Sequence, residues 1–254
     1  MTILQAIILA IVEGITEYLP ISSTGHLILV SSLLKIPQTD FVKSFEIAIQ
    51  LGAILAVVGM YWQKLMDTKL WPKIIVGFIP SAIIGLVAYP FIKQNLLGNT
   101  SVVLWSLALG GLVLLFIDKL IKGKQKSLLA LTWQNAILIG LFQAVSIIPG
   151  VSRAAATIIG GLLVGLDRKS AVEFSFLLAV PTLVAATGLD LFKSGWSFTG
   201  HEWTLLIVGL LGSTITAWAA IKFFLDFVKK HNFQVFGIYR LLIVGLFLKL
   251  LVYP

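Results

Sequence analysis

Six apolar runs, at 42–62, 74–94, 101–121, 171–192, 203–225 and 235–253, each reach the length a helix needs to cross a bilayer. The hydrocarbon core is about 30 Å thick and takes about 20 helical residues. Lipid offers no partner for a bare N–H or C=O, so a chain with such runs spans as helices that satisfy their own backbone. Composition agrees: 58% of the residues are hydrophobic, only 12% are charged, and the mean hydropathy is +1.01. Soluble domains carry about 25% charged residues. The expected class is an all-α polytopic membrane protein. There is no cysteine, hence no disulfide or thiol chemistry. The stretch MTILQAIILAIVEG lacks a basic leader and an A-x-A site, and is not expected to be a cleaved signal peptide. The net charge of +8 is read as a topology signal and not as a nucleic-acid footprint.

Two further apolar stretches are too short to cross. Residues 3–18 end at Leu19-Pro20 and residues 134–148 end at Pro149-Gly150, and each is followed by a second short apolar piece, 22–35 and 152–166. We read them as two re-entrant helix-break-helix hairpins, with their broken backbone covered by protein or a wet cavity. The chain also repeats. IVEGITEYLPISSTGHLI lies over LFQAVSIIPGVSRAAATI with an offset of 130, so that Ser22 meets Ser152 and Glu13 meets Gln143. SFEIAIQLGAIL lies over EFSFLLAVPTLV with an offset of 129. Residues 1–254 are therefore expected to form one integral membrane domain of two repeats, about 1–125 and about 126–254. Three spans per repeat is an odd number, which inverts the second copy, an arrangement known from transporters with a site near the midplane. Thirteen lysines and arginines fall on the side reached after the first span and five on the other, with Arg153 left aside. The positive-inside rule then puts both termini outside the cytoplasm, with the two hairpin tips meeting inside the membrane.

The first hairpin holds EGITEYLPISSTGHL, residues 13–27. Glu13 and Glu17 are four apart on one helix face, where two carboxylates point either to a metal site or to a general acid/base pair. Ser22, Ser23 and Thr24 follow the break; one of them, Ser22 by position, suits the N-cap of the next half-helix. That N-terminus is a ready anion site, and Ser152 supplies a second one. Arg153 sits beside it with a guanidinium fork that matches phosphate oxygens, or that pairs with Glu13 or Glu17. His26 is a candidate general acid/base. Glu46 and Gln50 share a face of the first span. Glu173, Asp190 and Arg240 are expected to snorkel from span ends, and His201 and His231 to sit at the interface.

EGITEYLPISSTGHL and PGVSRAAAT (149–157), together with SFEIAIQLGAILAVV and EFSFLLAVP, resemble the bacterial undecaprenyl-pyrophosphate phosphatases, the bacitracin-resistance family, over most of the chain. The family usually has Ser-Gly after the arginine, where this chain has Ala154 and Ala155. The resemblance implies the inverted-repeat fold, often dimeric, in the bacterial cytoplasmic membrane with its site facing outward. It also implies hydrolysis of the terminal phosphate of a polyprenyl diphosphate, recycling the cell-wall lipid carrier, with a divalent cation, Mg2+ or Ca2+. By position the nucleophile is then Ser23, and Glu13, Glu17, Thr24, His26, Ser152 and Arg153 complete the site. The combined expectation is phosphoryl transfer to Ser23, activated by His26 or Glu17. Arg153, Ser152, Thr24 and Ser22 hold phosphate, and Glu13 and Glu17 hold the metal. The rival class is a lipid-phosphate transporter or flippase built on the same repeat. The other integral lipid phosphatases place a histidine soon after Ser-Arg, whereas none occurs here between Arg153 and His201.

Overall fold

The computed structural model describes residues 1–96, 99–121, 126–194 and 198–252. Lys93, Lys122, Lys124, Asp190 and Lys193, whose charges entered the sequence reading, lie outside the described residues and side chains. Among the described residues there are ten α-helices, one short 3-10 turn at Leu128–Ala130 and no strand. In the first half these are α1 (Ile3–Thr16), α2 (Ser23–Leu33), α3 (Asp40–Leu65), α4 (Trp71–Asn95) and α5 (Thr100–Leu120). The second half holds α6 (Trp133–Val145), α7 (Arg153–Leu163), α8 (Arg168–Ser194), α9 (Gly200–Lys230) and α10 (Gln234–Val252). Five stretches, in α3, α4, α5, α8 and α9, are long and apolar enough to cross a membrane. The sixth expected span, 235–253, falls on α10, a helix of 19 residues that ends outside the described side chains. The outer surface is apolar in the manner of a protein dissolved in lipid: Leu86, Leu109, Phe116, Leu211, Ile215 and Leu242 are all exposed.

Helix ends follow local chemistry. Thr39, Asn99 and Thr199 cap α3, α5 and α9 by accepting backbone N–H bonds, which satisfies donors that the first turn leaves free. The short helices match across the halves in detail. Thr2 and Thr132 cap α1 and α6, and Ser22 and Ser152 cap α2 and α7. Helices α2 and α7 also end alike, through Ile36 N–H to Ser31 O and Leu166 N–H to Gly161 O. The residue at each bend has positive φ, Lys35 in one half and Gly165 in the other.

Contacts give the directions. Met1 meets His201 and Ala10 meets Gly212 and Thr216, so α1 runs parallel to α9. Gly209 faces Phe45, Thr214 bonds Gly52 O at 2.8 Å and Trp218 faces Gly59, so α3 runs with them. In the same way Gly77 of the first half meets Ala136 of the second and Gly85 meets Ile147, which aligns α4 with α6. Lys64, at the end of α3, pairs with Glu173, at the start of α8, so these two helices are antiparallel. Helices α5 and α10 are antiparallel too: Gln234 reaches Leu115 O, and Phe233 N–H reaches Asp118. Helices α1 and α6 thus pack on long helices of the opposite half, α9 and α4, while α7 packs on α8 of its own half, and the two breaks come to the centre.

Candidate active site

The two breaks share one conformation. Ser22 has φ 71° and ψ 92°, Ser152 has φ 77° and ψ 117°, and the hydroxyls accept from Gly25 N–H at 3.4 Å and Ala155 N–H at 3.1 Å. Positive φ is uncommon outside glycine and costs of order 1–3 kcal/mol where it is held. Two such residues, 130 apart in the chain, border one cavity of about 310 Å³. Glu17, Ser22, Ser23 and Thr24 form one wall, and Pro149, Gly150, Ser152 and Arg153 the other. Gln50 lines it as well.

Glu17 is the centre of the polar network. One carboxylate oxygen accepts from Ser23 Oγ at 2.5 Å and the other from Arg153 Nη2 at 2.7 Å. Both members of the ion pair are less than a tenth exposed. Arg153 Nη1 donates to Ser175 O at 3.0 Å and approaches its Oγ at 3.4 Å, while Ser175 is bonded to Thr157 at 2.6 Å. The guanidinium lies 5.5 Å from the centre of the Tyr18 ring, and the Tyr18 hydroxyl donates to Ala53 O. A carboxylate that holds a serine hydroxyl in a short, charge-assisted bond is placed to take its proton. An arginine on the same carboxylate is a fork that an anion can claim.

Glu13 does not line the cavity. It is fully buried, neither of its oxygens has a hydroxyl, amide or cationic donor among the described residues, and it lies against the Glu17 carboxyl with Glu46 and Arg153 also near. Orphaned carboxylate oxygens beside a second carboxylate fit a hard divalent cation. No cluster of three or more Asp, Glu, His or Cys exists among the described residues, so Glu13 and Glu17 would leave the remaining positions to water and phosphate oxygens. At the matching place in the second half, Gln143 bonds Ser81 at 2.6 Å and Thr182 at 3.1 Å and is satisfied.

His26 lies off the cavity wall. Nδ1 is 2.8 Å from Ser22 O, which makes it the protonated nitrogen, and Nε2 accepts from the Tyr239 hydroxyl at 2.8 Å. The two rings stack with centroids 5.6 Å apart. Glu46 accepts from Ser31 at 2.8 Å, away from the serine pair.

Two edge assignments are corrected. Arg240 does not snorkel: it is 0% exposed, and its Nη2 donates to Gly150 O at 2.6 Å and Val151 O at 2.9 Å, inside the second break. This removes one charge from the larger side of the topology count without reversing it. Glu173 is buried and ion-paired with Lys64 at 2.5 Å, with Lys169 at 3.9 Å. Asp190 falls outside the described side chains. Tyr18, Ser175 and Tyr239 escaped the sequence reading, and Arg240 was read only as an edge residue, because each acts through a distant backbone or ring. The Tyr239-Arg240 pair, polar and inside the sixth apolar run, was the available signal.

A second, apolar hollow of about 380 Å³ adjoins the cavity, sharing Ser146, Ile147 and Thr182 with it and running out between α4 and α8 past Phe78, Leu86 and Ala186. With two matched breaks, a carboxylate–serine–arginine network and this geometry in view, comparison with known proteins is decisive. The family described as Bacitracin resistance protein BacA matches residues 6–247. The chain belongs to this family. Among curated BacA-like relatives, a protein of Aquifex aeolicus named undecaprenyl-diphosphatase is 54% identical over 249 residues, 96% of each chain. Proteins of the same name from Sulfurihydrogenibium sp. (51%, covering 96% of this chain and 97% of its own length) and Thermus thermophilus (46%, covering 96% and 95%) are also similar. Membership in the BacA family and the apolar helices together make this a multi-pass membrane protein.

Proposed function

We propose that this protein is an undecaprenyl-diphosphatase, hydrolysing a polyprenyl diphosphate to the monophosphate and inorganic phosphate. The observation that carries the reading is Glu17, which holds Ser23 and Arg153 at once on the wall of a cavity bordered by two helix N-termini. Substrate phosphate oxygens draw Arg153 from Glu17, and the guanidinium binds them as a fork. Glu17, released, takes the Ser23 proton. Ser23 Oγ attacks the terminal phosphorus, and the bond from that phosphorus to the bridging oxygen breaks. The polyprenyl monophosphate leaves with the electron pair. Glu17 passes that proton to the departing monophosphate and is a carboxylate again. Water then attacks the phosphoserine and gives a proton to Glu17, the bond from phosphorus to Ser23 Oγ breaks, Oγ takes the proton back from Glu17, and inorganic phosphate leaves. The Ser152 and Ser22 helix starts face the developing charge. Glu13 with Glu17 would hold a divalent cation, Mg2+ or Ca2+, which when bound supplies further charge neutralisation. With both ring nitrogens of His26 engaged, Glu17 and not His26 is assigned as the base.

The same reading takes α3, α4, α5, α8, α9 and α10 as six spans and α1–α2 and α6–α7 as re-entrant pairs in inverted repeats. The antiparallel packing of α3 on α8 and of α5 on α10 supports it. The termini and the open cavity then face outward across the cytoplasmic membrane, as the lysine asymmetry favours. Single cysteines replacing Gln38 and Asp67, in a chain that has none, test this: Gln38→Cys reacts in intact cells and Asp67→Cys only after permeabilisation. The reaction is tested with purified protein and a polyprenyl diphosphate. Ser23→Ala and Arg153→Ala are each expected to lose at least about 10²-fold in phosphate release. Near-wild-type release by either sinks the assignment, and lipid movement without phosphate release marks a transporter instead.

A further inference from the structure

Arg240 takes no part in the reaction just described, yet it is the largest fully buried side chain among the described residues. Among the described residues its Nε and Nη1 have no acceptor, and its Nη2 is spent on two carbonyls and not on a carboxylate. An uncompensated buried cation is costly, and a well-packed apolar side chain would serve a purely structural purpose better. Helix α5 is hollowed to admit it: a Cβ at Gly110 would stand 2.8 Å from the guanidinium carbon. The turn it grips also packs closely on α5, since a Cβ at Gly150 would stand 2.6 Å from Val103 O.

We propose that Arg240 is a positioning residue that orients the Val151–Ser152 peptide group toward bound phosphate, and that Tyr239 is its counterpart on the first break. A trans peptide is planar, with its C=O and N–H pointing opposite ways. With Val151 O drawn to α10, the N–H of Ser152 points away from α10, to the side where Ser152 and Arg153 line the cavity. Free carbonyls at the rim of an anion site would repel phosphate, whereas held by a guanidinium their negative ends face a cation instead. The first break is treated alike. His26 Nδ1 holds Ser22 O at 2.8 Å, and Tyr239 fixes that imidazole from Nε2. Neighbouring residues on a helix point about 100° apart. One turn of α10 thereby reaches both lips of the cavity and sets their separation.

The proposal rests on the cavity being the phosphate site, and the experiment separates the two. Wild type, Arg240→Lys and Tyr239→Phe are purified and compared in three measurements: thermal unfolding, kcat and KM for polyprenyl diphosphate, and calorimetric binding of inorganic pyrophosphate. A lysine ammonium lacks the fork that spans both carbonyls. Folded Arg240→Lys is expected to lose about 10²-fold in kcat, as for loss of a preorganised donor, and at least about tenfold in affinity for pyrophosphate, with KM raised to match. Tyr239→Phe removes one hydroxyl from a partly exposed residue and is expected to lose about tenfold. Wild-type kcat in either folded variant overturns the proposal, as does a lowered melting temperature with kcat intact. If Arg240→Lys does not fold, Tyr239→Phe alone decides. A wild type that binds pyrophosphate but releases no phosphate defeats the proposed reaction only. The positioning role is then read from pyrophosphate affinity, which must fall at least tenfold in both variants; unchanged affinity overturns it.

Discussion

Glu17 and Arg153 are each other's counterion at membrane depth, and this makes stability and activity separable by mutation. Glu17→Gln leaves the guanidinium buried and unpaired, a situation that costs roughly 3–5 kcal/mol. It also removes the base for Ser23. The double variant Glu17→Gln, Arg153→Met deletes both charges and keeps the packing volume, which is commonly neutral for stability. Melting temperatures in detergent are therefore expected to fall for the single variant and return toward wild type for the double, while phosphate release stays abolished in both. A double variant that melts with the single one would mean that the pair does not exchange its stabilisation internally. At this scale the chemistry was legible where residue type is rare in lipid: Glu13, Glu17 and Arg153 announce themselves by insertion cost. It was not legible where the partner is a carbonyl or a ring. His26 looked free beside three hydroxyls, yet its two nitrogens go to Ser22 O and Tyr239, a partner 213 positions away.

Between elements, the packing of α1, α3 and α9 depends on residues that have no side chain. A Cβ on Gly14 would stand 2.6 Å from Ser213 O, and one on Gly52 would stand 2.5 Å from Leu210 O. In lipid the hydrophobic effect does not press helices together, so close backbone approach and interhelical bonds such as Thr214 to Gly52 O carry the association. Gly52→Ala is expected to separate α3 from α9 and to cost roughly 1–3 kcal/mol. Unfolding followed by intrinsic tryptophan fluorescence, with Trp218 packed at Gly59 of the same interface, checks this: an unchanged midpoint would refute the close-packing account. The breaks between α1 and α2 and between α6 and α7 were readable from Pro20 and Pro149 and from the two hydroxyl caps, because those signals are local. Which helix each hairpin leans on was not. The apolar runs are alike in composition, and only small residues spaced along α9 distinguish its contact face.

For the molecule as a whole, the solvent decides how a lipid substrate is discriminated. The apolar hollow beside the cavity, about 380 Å³, has room for only a few prenyl units, so on the proposed reading the rest of a long tail stays in the bilayer. Moving a tail from water into protein would gain about 0.8 kcal/mol per CH2. Moving it from lipid into protein exchanges one apolar surrounding for another, and that gain largely vanishes. Affinity within the membrane then comes from the headgroup network around Glu17 and Arg153, with the hollow contributing shape and little energy. In lipid nanodiscs, with substrate expressed as a mole fraction of lipid, kcat/KM for farnesyl and undecaprenyl diphosphates is expected to differ by less than about tenfold. Ala186→Trp, which fills the hollow near its mouth, is expected to raise KM for both by a similar factor while kcat holds. A steep rise of kcat/KM with chain length in the bilayer would mean that the protein grips the tail along its length, and the site would have to be redrawn as a tail-binding channel with a phosphate end.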